Sequence, residues 1–168
     1  MVRFVLVAKK APGQGEDVSI NHEIHEILSI INGEALKNDV SARAELGLNL
    51  PLIKADRIEL QQVLLNLAVN AIQAMSTLKA GRRELMIRSE ADGEGGVAVS
   101  VSDTGPGLDP AAYERIFQPF YTSKEGGLGM GLSICRTIIE SHGGKLWAAA
   151  NSPRGAVFHF TLPATRPY

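Results

Sequence analysis

The sequence predicts an α/β fold built on a mixed β-sheet. Helix-like and strand-like stretches alternate along the chain, and short turns join two pairs of the strand-like stretches. Strands joined by short turns are antiparallel neighbours, so a purely parallel sheet is not expected. The length of 168 residues suits one domain and is too short for two full ones, and 45% hydrophobic residues are enough for a packed core.

The first part of the chain predicts a linker and then a helix. Residues 1–10 are apolar and basic, and either a strand or the last turns of a helix would fit them. Residues 11–16 contain Pro12 and two glycines and predict a linker. Ser19 is a suitable N-cap, and the helix that it starts would carry apolar residues on one face. These residues are Ile20, Ile24, Ile27, Leu28 and Ile31.

The middle of the chain predicts a strand, a long helix and a hairpin. Residues 40–46 alternate as in a half-buried strand, and Asp56 is a suitable N-cap for an apolar helix that reaches Met75. Residues 85–91 and 97–101 predict two strands, and the glycines between them predict their turn. Residues 108–128 show no regular pattern.

The last part predicts a third helix and a second hairpin. The helix would run from about residue 128 to His142, where Gly143 and Gly144 end it. A positive charge on His142 would suit the carboxyl end of that helix. Residues 145–150 and 156–162 predict the hairpin that closes the sheet.

Composition makes several functions improbable. Seventeen basic against eighteen acidic residues leave a net charge of −1, which disfavours binding to a nucleic-acid backbone. The single Cys135 cannot form an internal disulfide, and it suits a reducing, cytoplasmic compartment. No apolar run approaches the roughly 18 residues of a membrane span.

Two glycine groups follow polar residues that could bind a ligand. Asp103 follows a predicted strand and precedes Gly105 and Gly107, where a carboxylate could accept from a base and the backbone could approach it closely. A structural turn explains this group equally well. The second group, within 126–131, leads into a helix whose free N–H groups could bind an anion. Ser123 and Lys124 lie just upstream, and a flexible loop is the alternative.

The long helix carries Asn66 and Asn70 beside its apolar stripe, four residues apart and so on one face. They could be hydrogen-bonded amides at the edge of the core, or their oxygens could hold a cation or phosphate group. The two common nucleotide motifs are absent, because Leu132 replaces the last glycine of G-x-G-x-x-G and Leu146 follows Gly144-Lys145.

Taken together and in this order, these segments resemble the ATP-binding catalytic domain of bacterial sensor histidine kinases, in the gyrase and histidine kinase ATPase superfamily. The form of the motifs is nearest the nitrogen-regulation and oxygen-sensing type. The resemblance covers residues 18–163. Its motifs are an asparagine box at 56–75, glycine boxes at 103–107 (DTGPG) and 126–134 (GGLGMGLSI), a phenylalanine box at 117–124 (FQPFYTSK) and a closing strand at 155–163.

The resemblance implies a two-layer sandwich with helices on one face of a mixed sheet, the Bergerat-type ATP-binding fold. It implies an ATP-binding catalytic domain over residues 18–165. Residues 1–17 would then be a linker or the tail of a dimerisation helix.

The resemblance also implies roles for particular residues. Asn70 would bind Mg²⁺, Asn66 would lie near the phosphates and act in catalysis, and Lys124 would neutralise the terminal phosphate of ATP. Asp103 would accept from the adenine amino group. The remaining nucleotide contacts would come from Gly105, Gly107, Ser123, Gly127, Leu128, Gly129, Met130, Gly131 and Leu132.

The chain lacks an evident phosphoacceptor histidine. His22 is followed by Glu23 and Ile24, which resembles the start of an acceptor motif. The following proline is missing, and too few residues separate His22 from the asparagine box for a second hairpin helix. The other histidines are His25, His142 at the end of a predicted helix, and His159 on a predicted strand.

The expected function is therefore to bind Mg²⁺-ATP and donate the γ-phosphate to a histidine on a separate dimerisation domain. A response regulator would receive the phosphate afterwards. The chain itself is expected to be monomeric and cytoplasmic, whether or not its parent is membrane-anchored. Two alternatives share the fold: an ATP-binding regulatory module without phosphotransfer, and a serine kinase of the anti-sigma type.

Overall fold

The structure is a computed structural model that describes residues 15–121 and 131–164. Within these residues the elements follow the predicted alternation of helix and strand. The strands are β1 (Glu16–Val18), β2 (Ser41–Leu46), β3 (Ile53–Ala55), β4 (Glu84–Ala91), β5 (Val97–Ser102), β6 (Lys145–Ala150) and β7 (Ala156–Leu162). The helices are α1 (Ile20–Lys37), α2 (Arg57–Ser76) and α3 (Gly131–Ser141), with short 3₁₀ turns at Pro110–Ala112 and Arg115–Phe117.

The main sheet has five strands in the order β2-β4-β5-β7-β6. Strand β2 runs parallel to β4, and the other neighbouring pairs are antiparallel, which confirms the predicted mixed sheet. Buried and more exposed residues alternate along β4, β5 and β7. The buried face packs against the three helices, and no described helix packs on the opposite face, so helices on one face are confirmed as well.

Both predicted N-caps are confirmed. The Ser19 side chain accepts a hydrogen bond from the His22 N–H at 3.4 Å. Asp56 Oδ1 accepts from the N–H groups of Ile58 and Glu59 at 2.9 and 3.1 Å. Each cap satisfies donors that have no partner within the helix, and so fixes where α1 and α2 begin.

The described residues include a small second sheet that the sequence pattern does not predict. Strands β1 and β3 pair antiparallel over three residues each. Glu16 therefore belongs to a strand, and the prediction of a linker over 11–16 is wrong at that residue, while 11–14 lie outside the described part. Segments this short show too few alternations for a pattern to predict them.

His142, directly after α3, contacts the residue that caps α2. Its Nε2 accepts a hydrogen bond from the Asp56 N–H at 3.1 Å. Its Nδ1 lies 2.7 Å from the Ile138 carbonyl oxygen. His142 thus joins the end of α3 to the start of α2.

Candidate functional site

One face of α2 carries the two asparagines predicted from the sequence. Asn66 and Asn70 are both partly buried and are separated by one helical turn. Ala74, a further turn along, is 3.4 Å from the position that a Cβ on Gly105 would take. The face running from Asn66 to Ala74 therefore ends at the loop after β5.

Asp103 begins that loop, and the backbone around it holds its carboxylate. Only 3% of Asp103 is exposed. Its Oδ1 accepts from the N–H of Gly105 at 2.8 Å and from the N–H of Ala156 at 3.3 Å. The Asn151 side chain donates to the Asp103 carbonyl oxygen at 2.7 Å. A buried carboxylate with several donors has a fixed orientation, which a selective contact to a base requires.

Glycines allow the chain to pass closely around Asp103. Gly105 is buried between Asp103 and α2, and a Cβ there would lie 3.0 Å from Asp103 Oδ1. Gly107 has a φ of +80° and lies against the carbonyl group of Gly155. Both positions therefore favour glycine for steric reasons, in agreement with a loop that approaches another group closely.

The opposite end of the α2 face meets the first turn of α3. The Asn66 Nδ2 donates to Cys135 Sγ at 3.7 Å, and a Cβ on Gly131 would lie 4.0 Å from the same nitrogen. N–H groups in the first turn of a helix and the positive end of its dipole favour an anion.

These contacts place an anion-favouring helix end and a buried carboxylate at the two ends of one helical face. Asn66 and Ala74 are separated by about 12 Å along α2, at 1.5 Å per residue. Asn70 lies between them. This spacing suits a ligand with phosphates at one end and a hydrogen-bonding base at the other.

Several predicted site residues lie outside the described residues. They are Ser123, Lys124, Gly127, Leu128, Gly129 and Met130. Leu132 is described, and it packs against the hydrophobic core. The structure brings Asn66, Asn70, Asp103, Gly105 and Gly131 to the same side of α2.

Sequence reasoning missed two residues of this site, Cys135 and Asn151. Both act through contacts to residues far away in the chain, so no local pattern could have assigned them. Burial raises the pKa of the Cys135 thiol to about 12, which keeps it protonated.

The donor set suits a metal ion that shares its coordination with phosphates. Within residues 15–121 and 131–164 no group of three or more His, Cys, Asp or Glu side chains could hold a metal ion. Mg²⁺ usually keeps several waters and takes one or two protein ligands plus substrate phosphates. A single amide oxygen from Asn70 fits that mode of binding.

A separate cavity of about 500 Å³ lies on the face of the sheet opposite the described helices. Arg88, Trp147 and His159 are among its lining residues. None of the residues predicted to bind the nucleotide lines this cavity. The cavity is therefore distinct from the site along α2. Among the described residues, no helix is both long and apolar enough to cross a membrane.

Comparison with known proteins defines the class. The family described as "Histidine kinase-, DNA gyrase B-, and HSP90-like ATPase" matches residues 55–166. The chain belongs to this ATPase family, whose members include ATP-binding domains with the fold described above.

Within that family the similarity is to histidine kinases. The catalytic domain of histidine kinase ThkA is 36% identical with a TM-score of 0.79, over 90% of this chain and 97% of that one. Full-length ShkA in complex with AMPPNP has a TM-score of 0.80 and 29% identity, over 92% of this chain and 32% of ShkA. The chain is therefore a histidine kinase catalytic domain, as the sequence motifs indicated.

The chain is also similar to part of a curated sensor protein. The sensor protein FixL of Bradyrhizobium diazoefficiens is 42% identical over 146 residues, which is 87% of this chain and 28% of FixL. The chain thus spans less than a third of that protein. ThkA has also been solved with the response regulator TrrA, with 34% identity and a TM-score of 0.76 over 90% of this chain and 42% of that one.

Proposed function

We propose that this chain binds Mg²⁺-ATP along the α2 face and donates the γ-phosphate to a histidine on a separate dimerisation domain. The observation that carries the proposal is the placement of Asn66 and Asn70 between the start of α3 and the buried Asp103. The ShkA–AMPPNP complex supports ATP as the ligand.

The adenine end of the ligand is assigned to Asp103. Backbone donors hold Oδ1, and the carboxylate fixed in this way is proposed to accept from the exocyclic amino group of the base. Gly105 and Gly107 let the loop after Asp103 pack closely on α2 and on Gly155, which holds the carboxylate in place. A guanine would present a carbonyl oxygen instead of that amino group, so the site favours ATP over GTP.

The phosphate end is assigned to Asn66, Asn70 and the first turn of α3. Mg²⁺ held by Asn70 would reduce the negative charge of the phosphates as the γ-phosphoryl group leaves. The start of α3 supplies further N–H donors, and Lys124 is proposed to pair with the terminal phosphate. Phosphoryl transfer depends mainly on positioning and charge neutralisation, which these residues can provide.

This domain needs no general base of its own, because the acceptor histidine is itself the nucleophile. The bond from the γ-phosphorus to the bridging oxygen breaks, an imidazole nitrogen of the acceptor forms the new P–N bond, and ADP leaves. Asn66 is an amide and cannot take a proton from water, so slow ATP hydrolysis is expected. The phosphate would then pass to a response regulator, and the ThkA–TrrA complex supports that class of partner.

Transfer of labelled phosphate from ATP to a supplied dimerisation domain tests the proposal. The product should lose its label in acid and keep it in alkali, as phosphohistidine does. An acid-stable product would indicate the serine kinase alternative. Tight ATP binding without transfer to any acceptor would indicate a regulatory module.

A further inference from the structure

Cys135 lies at the junction of α2 and α3, directly beside the proposed phosphate site. It is fully buried on α3, one helical turn after Gly131. Its sulfur is 3.7 Å from Asn66 Nδ2, although the two residues are 69 positions apart in the chain. A contact of this kind joins the helix that carries the asparagines to the helix that begins at the phosphate site.

The contact restricts the orientation of the Asn66 carboxamide. A rotation of 180° about its last side-chain bond exchanges the oxygen acceptor with the NH₂ donor. The NH₂ group can donate to a phosphate oxygen, whereas the oxygen can bind a metal ion. Within the described residues, the bond to Cys135 is the hydrogen bond that the Asn66 side chain makes. With Nδ2 held by the sulfur, Oδ1 is directed away from α3.

The sulfur suits this position because it is an uncharged acceptor. Burial keeps Cys135 as a thiol, since its pKa is raised to about 12. A thiolate beside the phosphates would repel them, whereas a thiol adds no charge. The neighbours of Cys135 on the buried side of α3, Ile138 and Ile139, offer no acceptor.

We propose that Cys135 is a positioning residue that sets the orientation of the Asn66 carboxamide toward the phosphates of ATP. The inference rests on the proposed function, because it concerns the same site. Cys135 does not touch the nucleotide in this role and acts only through Asn66.

The decisive comparison is between ATP and adenosine as ligands of the 168-residue chain. Adenosine engages the Asp103 end of the site and has no phosphates. Cys135→Ala should weaken Mg²⁺-ATP binding about threefold to tenfold, the range for loss of one modest hydrogen bond. Adenosine affinity should stay within about twofold of the native value. Asn66→Ala should produce the same pattern with a larger loss.

Ile139→Val is the matched control. It removes one buried heavy atom from the same helix, as Cys135→Ala does, and leaves the hydrogen bond between Cys135 and Asn66 in place. It should lower the melting temperature slightly and leave both affinities unchanged. The Asn66 side-chain amide resonances in a nitrogen-15 NMR spectrum should move in Cys135→Ala and stay in place in Ile139→Val. If Cys135→Ala does not fold, Cys135→Val removes the acceptor while filling the space.

The outcomes separate this inference from the proposed function. Equal weakening of ATP and adenosine in Cys135→Ala would mean general damage to the fold and would overturn the inference alone. Unchanged ATP affinity in that variant, beside a loss in Asn66→Ala, would do the same. Failure of the native chain to bind Mg²⁺-ATP would overturn the proposed function and the role of Cys135 together.

Discussion

Gly155 lies so close to Asp103 that a Cβ at position 155 would overlap the Asp103 carbonyl oxygen. Gly155 also has a φ of +107°, a conformation that other residues rarely adopt. The turn between β6 and β7 therefore packs directly on the residue assigned to the adenine. The stability of this turn and the affinity for ATP should be linked.

Gly155→Ala is expected to lower both the free energy of unfolding and the affinity for ATP. Backbone strain and overlap together should cost roughly 3 kcal/mol or more of unfolding free energy, measured by urea denaturation. ATP affinity should fall because Asp103 is displaced. Gly93→Ala is the matched control, with a φ of +84° and open space around the new Cβ. It should cost about 1 kcal/mol through strain alone and leave ATP affinity unchanged.

Asp103→Asn and Asp103→Ala should differ in their free energy of unfolding, and both should bind ATP more weakly than the native chain. Asparagine keeps an oxygen that can accept from Gly105 and Ala156, so the fold should remain close to native. Alanine leaves the buried Gly105 N–H without this partner, at a cost of about 1–3 kcal/mol. Both variants should lose at least about tenfold in ATP affinity. Native ATP affinity in Asp103→Asn would refute the assignment of the adenine end.

Protonation of His159 should be visible through the single tryptophan of the chain. The rings of Trp147 and His159 are stacked, with centroids 5.3 Å apart. Burial lowers the pKa of His159 below its ordinary value of 6.5. Below pH 6.5 the unfolded chain binds more protons at His159 than the folded chain does. The free energy of unfolding that His159 contributes is therefore fully present above about pH 6.5, and it is lost as the pH falls through the lowered pKa. Tryptophan fluorescence should show a transition on the acid side of 6.5.

His159→Gln should abolish that transition and reduce the loss of stability in acid. His25→Gln, which changes an exposed histidine on α1, should leave both as in the native chain. A fluorescence transition that persists in His159→Gln would show that another group is responsible.

A buried carboxylate joins α1, α2 and β1. Glu23 is fully buried, and it accepts from the Gln61 side chain at 2.7 Å and lies 3.3 Å from Arg57 Nε. Arg57 is also 3.6 Å from Glu16 in β1. Glu23→Gln places an amide donor where both neighbours are donors, and should cost roughly 2 kcal/mol. Glu26→Gln, at an exposed position on the same helix, should cost less than about 0.5 kcal/mol in the same urea titration.

Much of the fold could be predicted because its signals are local. The caps at Ser19 and Asp56, the apolar stripes of the helices and the glycine turns each depend on residues that are neighbours in sequence. The parallel pairing of β2 with β4 could not be derived in this way, since it joins segments separated by α2. The three-residue strands β1 and β3 carry too little pattern.

The residues of the candidate site also differ in whether a local signal in the sequence indicates them. Asn66, Asn70 and Asp103 could be singled out as candidates because polar residues beside apolar stripes and strand ends are unusual, and the resemblance to histidine kinases suggested their roles. Cys135 and Asn151 could not be singled out, because their contacts to Asn66 and Asp103 cross 69 and 48 residues. The contact of His142 with Asp56 could not be predicted either, since the two residues are 86 positions apart.

The most direct test of the central claim is a calorimetric titration of ATP into the chain with Mg²⁺ and then with EDTA, repeated for Asn70→Ala. The native chain should bind ATP, and chelation should weaken the binding. Asn70→Ala should bind ATP weakly with or without the metal. The site along α2 would be contradicted if EDTA left the ATP affinity of the native chain unchanged. It would also be contradicted if Mg²⁺ raised the ATP affinity of Asn70→Ala as much as it raises that of the native chain.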